Sequence, residues 1–134
     1  MAQKVLGAFE KVDFPEFGMK GIVSKIDTGA FTGAIHAKKI REKNENGEPM
    51  LLFSPFDHPE QVYKTPNFER GIVKSSNGHM EERYFIETSI IINSKRYVIT
   101  LSLADRSDMK WPVLIGRRFL RVNEFIVDVS KDNE

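Results

Sequence analysis

A chain of 134 residues can bury one sizeable core and is too short for two ordinary domains, so residues 1–134 are read as a single domain. Twenty basic and nineteen acidic residues leave a net charge of +1, mixed along the chain, and so no sustained field that would draw nucleic acid or an anionic membrane. The absence of cysteine excludes disulfides, zinc ribbons and thiol nucleophiles, and it suits a cytoplasmic protein.

The N-terminal stretch Met1-Ala2-Gln3-Lys4-Val5-Leu6-Gly7 lacks the apolar run of a signal peptide. Nowhere do about 18 consecutive apolar residues offer a membrane span, and a soluble, unprocessed protein is expected. Lys20 to Asp27 reads as a short strand, and Thr32 to Arg41 leaves the Asp27 turn carrying Ile35, Ala37 and Ile40. Asn44-Glu45-Asn46-Gly47 is a turn, with a strand expected over Pro49 to Phe53. From about 54 to 70, Pro55, Pro59 and Pro66 would each interrupt a ladder, so this stretch is read as an irregular surface excursion. Gly71 to Ser75 and Glu81 to Ile86 flank Ser76-Asn77-Gly78-His79, and Asn-Gly between extended segments predicts a projecting hairpin over about 71–86.

The clearest periodicity comes next. Tyr84, Ile86, Thr88, Ile90 and Ile92 alternate with their neighbours at a period of two, and beyond the Asn93-Ser94 turn so do Tyr97, Ile99, Leu101 and Leu103. Together they predict a long hairpin. Trp111 to Ile115 is apolar and runs into Gly116-Arg117-Arg118-Phe119-Leu120-Arg121, the one stretch with short-helix character; Phe125 to Val129 closes as a strand. The expected fold is all-β, mostly antiparallel, with one short C-terminal helix.

The chemistry centres on Ile26-Asp27-Thr28-Gly29-Ala30. Asp27 can polarise water, Thr28 can hydrogen-bond a neighbouring backbone, and Gly29 permits a close approach. All three are also ordinary turn residues, so the triplet alone is weak. Two further features add weight: the triplet follows an apolar strand pattern, and far downstream stands Val113-Leu114-Ile115-Gly116-Arg117-Arg118-Phe119-Leu120. These two segments resemble the halves of the retropepsin signature, an Asp-Thr-Gly-Ala followed much later by apolar residues, Gly-Arg and a short helix. A narrower resemblance covers nearly the whole chain. Lys25 to Ala30 with Ala34-Ile35-His36-Ala37, then Ser76 to Tyr84, then Asp105-Arg106-Ser107-Asp108-Met109, Pro112 to Arg117 and Phe125 to Asp128 resemble the bacterial and archaeal family called ATP-dependent zinc proteases, which has a retropepsin-like fold. The chain departs from that family at Phe31 and Gly33, where relatives commonly have a basic residue and a serine. Viral retropepsins usually carry an acid where Phe31 stands, paired with the Gly-Arg arginine, so Arg117 is expected to find another partner such as Asp108 or Asp128.

The resemblance implies a retropepsin-like acid protease barrel and an aspartic mechanism. Two carboxylates share one proton, one drawing a proton from water while the other donates to the scissile carbonyl oxygen. With one Asp-Thr-Gly per chain, it implies a homodimer in which Asp27 meets its symmetry mate and the pair titrates in two separated steps. Asp27, Thr28 and Gly29 would be the catalytic loop, with Gly116 and Arg117 supporting it. The 71–86 hairpin would be the flap, with Ala30, Asn77, Gly78 and His79 towards a peptide substrate, and Phe125 to Val129 a dimer element. The family's name implies zinc, but no His-Glu-x-x-His is present and His36, His58 and His79 are far apart. A metal-dependent hydrolase using Asp27, His36, His79 and Glu81 therefore stands as an alternative, and a non-catalytic peptide-binding module as another. No cofactor is expected, and no Gly-x-x-x-x-Gly-Lys-[Ser/Thr] run offers an ATP site. The cluster Arg117, Arg118 and Arg121 is explained by helix-terminal electrostatics without nucleic acid.

Overall fold

The computed structural model describes residues 4–74 and 77–134. Ser75 and Ser76, read above as part of the hairpin tip, lie outside the described residues. The strands run in chain order β1 (Lys4–Leu6), β2 (Phe9–Phe14), β3 (Met19–Ile26), β4 (Gly33–Glu45), β5 (Glu48–Pro55), β6 (Tyr63–Thr65), β7 (Phe68–Lys74), β8 (Met80–Ile92), β9 (Lys95–Ala104) and β10 (Val113–Ile115). The helix α1 (Arg117–Val122) follows, then β11 (Phe125–Val127) and β12 (Asp132–Asn133). No helix among the described residues is long and apolar enough to cross a membrane.

The main sheet runs β10-β3-β2-β8-β9-β4-β5-β6, and β10 also pairs with β4, which closes the six strands from β10 to β4 into a ring. The expected all-β class with one short helix is observed. Most of the strand pairings are antiparallel, as expected, but β10–β3, β4–β9 and β12–β2 are parallel, so the main sheet is mixed, and β1–β11 beside it is a parallel pair. The parallel pairs join strands remote in sequence, which no local turn chemistry announces.

The long hairpin of β8 and β9 is in register from Phe85↔Ser102 to Ile92↔Lys95. It turns at Asn93 and Ser94, both at positive φ (51° and 65°), as a two-residue primed turn requires. Ile86, Ile90 and Ile92 of β8 and Ile99, Leu101 and Leu103 of β9 enter the core, and buried Thr88 satisfies its hydroxyl on Glu16 at 2.8 Å. Each such side chain contributes roughly 1.5–3 kcal/mol by leaving water.

The stretch 54–70 is less irregular than expected. Ser54 and Pro55 end β5, Tyr63–Thr65 pairs with Leu51–Phe53, and Phe68 opens β7. The prolines sit where no ladder hydrogen bond is needed, at a strand end, in the turn and between β6 and β7. The segment is also anchored. Phe56 meets Phe14 with ring centroids 5.5 Å apart, and Phe17 meets Phe53 and Tyr63 at 5.9 and 5.0 Å.

Candidate functional site

Asp27 leaves the end of β3 as that strand crosses the ring. Its backbone N–H donates to the Ile115 carbonyl of β10 at 2.8 Å, and its own carbonyl accepts from Ala30 N at 3.1 Å, making the turn. The carboxylate is half-buried, and its Oδ1 accepts the Gly29 N–H at 3.0 Å. Asp27, Thr28 and Gly29 are thus a tight loop between β3 and β4, with the acid at its head.

The segment after β10 fastens this loop. Arg117 N donates to Ala30 O at 2.8 Å and Arg118 N to Phe31 O at 3.0 Å. Gly116 lies so close that a Cβ there would sit 2.6 Å from Phe31 O and 2.8 Å from Ala30 O. Gly116 and Arg117 therefore pack and hydrogen-bond against the loop through their backbone. The partner of Arg117 is not the expected one. Its guanidinium reaches the carbonyl oxygens of Gly29 (3.1 Å) and Thr28 (3.4 Å) and lies over the Phe31 ring at 5.4 Å. Neither Asp108 nor Asp128 pairs with it; the Asp128 carboxylate accepts instead from Ser130 N and Oγ. An aromatic face and two carbonyls stand in for the missing acid. The Thr28 hydroxyl makes no hydrogen bond within the chain among the described residues, so backbone and arginine hold the loop rather than that side chain.

β7 and β8 form the projecting hairpin, paired from Phe68↔Ile86 to Lys74↔Met80. Asn77, Gly78 and His79 lie exposed at its tip, with Gly78 at φ +86° and His79 N donating to Asn77 Oδ1 at 3.3 Å. Exposed Ile72 and Met80 give the hairpin an apolar surface near its end.

The histidines do not converge. His36 is buried on β4, its Nδ1 accepting the Arg106 backbone N–H at 2.8 Å and its Nε2 lying 2.8 Å from Asp57 Oδ1. Both ring nitrogens are occupied, which sets the neutral tautomer with the proton on Nε2. Glu81 is engaged by Arg83 at 2.9 Å, and His58 is exposed beside Glu60. Among the described residues no group of three or more histidines and carboxylates could hold a metal ion. The donor set His36, His79, Glu81 and Asp27 does not fit zinc, because these residues form no common ligand group and His36 would have to break one of its two bonds to ligate.

The Asp57 carboxyl is held below the ordinary aspartate range, first by its hydrogen bond from His36 and further by the nearby Lys38. A depressed carboxyl contributes stability that is present above its unfolded value of 3.8 and lost as pH falls through the lower folded value. Asp57→Asn is expected to lower stability modestly at neutral pH, where the ionised carboxylate contributes, to flatten the acid side of the profile, and to converge with the parent at the lowest pH. Urea midpoints from pH 2.5 to 7 would show it, and a parallel acid limb in the variant would refute it.

One residue near the site is not singled out by the sequence, although its segment Asp105 to Met109 is part of the family resemblance. Arg106, in the loop after β9, is 9% exposed, and burial pushes its guanidinium below the usual arginine range. The charge of Arg83 pushes the same way and that of Asp27 opposes.

Comparison with known proteins follows this geometry. A family model described as the RimB-like retropepsin-like aspartic endopeptidase matches residues 5–133. A protein from Desulfotalea psychrophila named a probable alpha-L-glutamate ligase is 32% identical over 135 residues, covering 96% of this chain and 28% of that protein. One of the same name from Shewanella halifaxensis is 32% identical over 132 residues, covering 95% and 29%. The chain thus spans less than a third of the curated relatives it matches. A solved structure of Lpg0085 from Legionella pneumophila, a protein of unknown function, superposes with a TM-score of 0.77 at 25% identity, over 98% of both chains.

Proposed function

The chain belongs to the RimB-like family of retropepsin-like aspartic endopeptidases, and on that premise we propose that it hydrolyses peptide bonds as a homodimer, with Asp27 of each chain as one half of the catalytic pair. The observation that carries this reading is the Asp27 loop. A half-buried carboxylate is held at the head of a fastened turn, and no second acid of the chain pairs with it among the described residues. One Asp of the pair would take a proton from the attacking water as the other donates to the carbonyl oxygen, and the two would exchange roles on the next turnover. The β7–β8 hairpin would close over the peptide and exclude water.

Three features support a two-fold assembly. The Thr28 hydroxyl has no bond within the chain among the described residues. The terminal pair β1–β11 carries outward Val5 and Ile126, and Val122 and Val129 nearby are 76% and 80% exposed. A homodimer would bury that apolar rim. Two relatives are named for glutamate ligation, so the substrate we propose is a peptide tail containing glutamate.

Mixing tests the shared site. Unfolding and refolding the parent together with an equal amount of Asp27→Asn should reduce activity per parent chain to roughly half, because random pairing leaves half the parent chains with an inactive partner. Undiminished activity in the mixture would refute the shared pair.

The curated relatives favour one second reading. Because this chain matches less than a third of proteins named as ligases, a domain of this kind could present a peptide to a ligase without cleaving it. Failure of the purified chain to cleave oligoglutamate peptides that it binds would select this reading.

A further inference from the structure

Arg106 is a largely buried residue with no counter-ion within salt-bridge distance among the described residues, and since no buried side-chain nitrogen lacks a partner, its unpaired Nη groups reach the surface. Its Nε donates to Trp111 O at 2.9 Å, its backbone N–H to His36 Nδ1 at 2.8 Å, and its carbonyl accepts from Met109 N at 2.9 Å. The Nε bond and the backbone bonds lock the residue in place. Neither terminal Nη group meets an acceptor among the described residues, and no carboxylate lies within salt-bridge distance. The charges around it come from four elements. Asp27, on the β3–β4 loop, attracts it, and Arg83, on β8, repels it. His36 on β4 is backed by Asp57 and Lys38, and the carboxylate of adjacent Asp105 accepts from Ser107 N and Oγ.

Arg83 is held on its own side. Its Nε and Nη2 reach Glu81 Oε2 at 3.2 and 2.9 Å, and its Nη1 reaches Ser102 Oγ at 3.4 Å. That hydroxyl donates at 3.0 Å to the carbonyl of Gly33, which opens β4 just after the Asp27 loop. Arg83 also borders an open groove of about 560 Å³ along the β7–β8 hairpin, lined further by Arg70, Ile72 and Tyr84.

Burying a guanidinium without a counter-ion is costly, and a second cation within its field adds to the cost. Such an arrangement beside a reactive carboxylate becomes favourable when a ligand brings the missing negative charge. We propose that Arg106, together with Arg83, is the receptor for a carboxylate of the bound peptide beside Asp27, so that the site selects an acidic side chain next to the scissile bond. The planar fork of Arg106 takes the carboxylate through its two unpaired Nη groups. Its charge also offsets the repulsion between an acidic substrate and an ionised Asp27. The proposal rests on the peptidase reading for what is bound there, and it adds which residues read the substrate.

The test is binding of tetra-α-glutamate and of tetraglutamine to the full chain carrying Asp27→Asn, so that hydrolysis does not enter. Tetraglutamate is expected to bind and tetraglutamine to bind far more weakly. Adding Arg106→Met should weaken tetraglutamate on the order of 30-fold and erase the discrimination, while Arg106→Lys should retain part of it. If Arg106→Met fails to fold, Arg83→Gln decides, with a smaller loss expected in the same direction. Equal binding of the two peptides, or tetraglutamate affinity unchanged in the arginine variants, overturns the receptor. Cleavage by the parent without any preference for glutamate also overturns the receptor and leaves the peptidase reading standing. Arginine-dependent discrimination in a parent that cleaves nothing supports the receptor and removes the peptidase reading.

Discussion

Asp27→Asn is expected to lower peptide hydrolysis by about 10⁴-fold while the chain stays folded. The effect sits at the upper end of what one acid–base group supplies, because in a homodimer a single substitution removes both members of the pair. Asparagine keeps the Oδ1 acceptor, so the 3.0 Å bond from Gly29 N survives, and the turn is closed by backbone bonds from Asp27 to Ile115 and from Ala30 to Asp27. Stability should therefore change by no more than about 1 kcal/mol, as expected where only one charge is removed from a half-buried position. Asparagine cannot take a proton from water, nor share one with its mate, and that alone accounts for the loss. Assays of parent and variant on oligoglutamate peptides, beside urea denaturation of both, separate chemistry from folding. Residual activity within tenfold of the parent would place the chemistry elsewhere.

The parts of this fold that are legible in sequence are those set by neighbours along the chain. β8 and β9 could be read because their inward positions are apolar and the Asn93-Ser94 turn joins them directly. The Asp27 loop and its Gly116-Arg117 support were legible because both lie in compact motifs. β2 escaped because one of its three inward positions is Glu10, which breaks the apolar alternation. Glu10 is 2% exposed and accepts from Gly7 N at 2.7 Å and Asn133 Nδ2 at 2.6 Å, partners that only the folded chain brings to it. The prolines of 54–70 suggested an irregular surface, yet they fall at a strand end, in a turn and between two strands, and Phe53 and Phe56 pull the segment into the core. Arg106 lies in a segment that carries the family resemblance, but its place near the site was not legible, for the same reason as Glu10. In sequence it is one charge in Asp105-Arg106-Ser107-Asp108, with acids on both sides, and only the folded chain leaves it without a carboxylate partner. Its burial and its place in the fields of Asp27 and Arg83 follow from the closure of the ring, which local pattern does not encode.

That closure can be tested at Gly33. The residue opens β4, pairs with Ile115 of β10 and stands at φ +87°, where side chains are strained. A Cβ at Gly33 would collide with the Leu114 carbonyl oxygen and lie 2.9 Å from Gly116 N. Both are backbone atoms of the segment that fastens the Asp27 loop, so neither can turn aside as a side chain would. Gly33→Ala is therefore expected to destabilise the chain by about 3–5 kcal/mol, combining backbone strain with separation of β4 from β10. Gly78, at φ +86° on the hairpin tip, has nothing among the described residues within 4 Å of a Cβ built there. Gly78→Ala pays for the backbone angle alone, roughly 1–2 kcal/mol. The difference between the two, read from urea denaturation, measures the close approach of β4 to β10 rather than glycine's conformational freedom. Hydrolysis should fall with stability in Gly33→Ala, because the same displacement moves Asp27 off the Ile115 carbonyl that positions it. Equal destabilisation by the two substitutions would mean that the ring does not close as tightly at Gly33 as its contacts with Leu114 and Gly116 require.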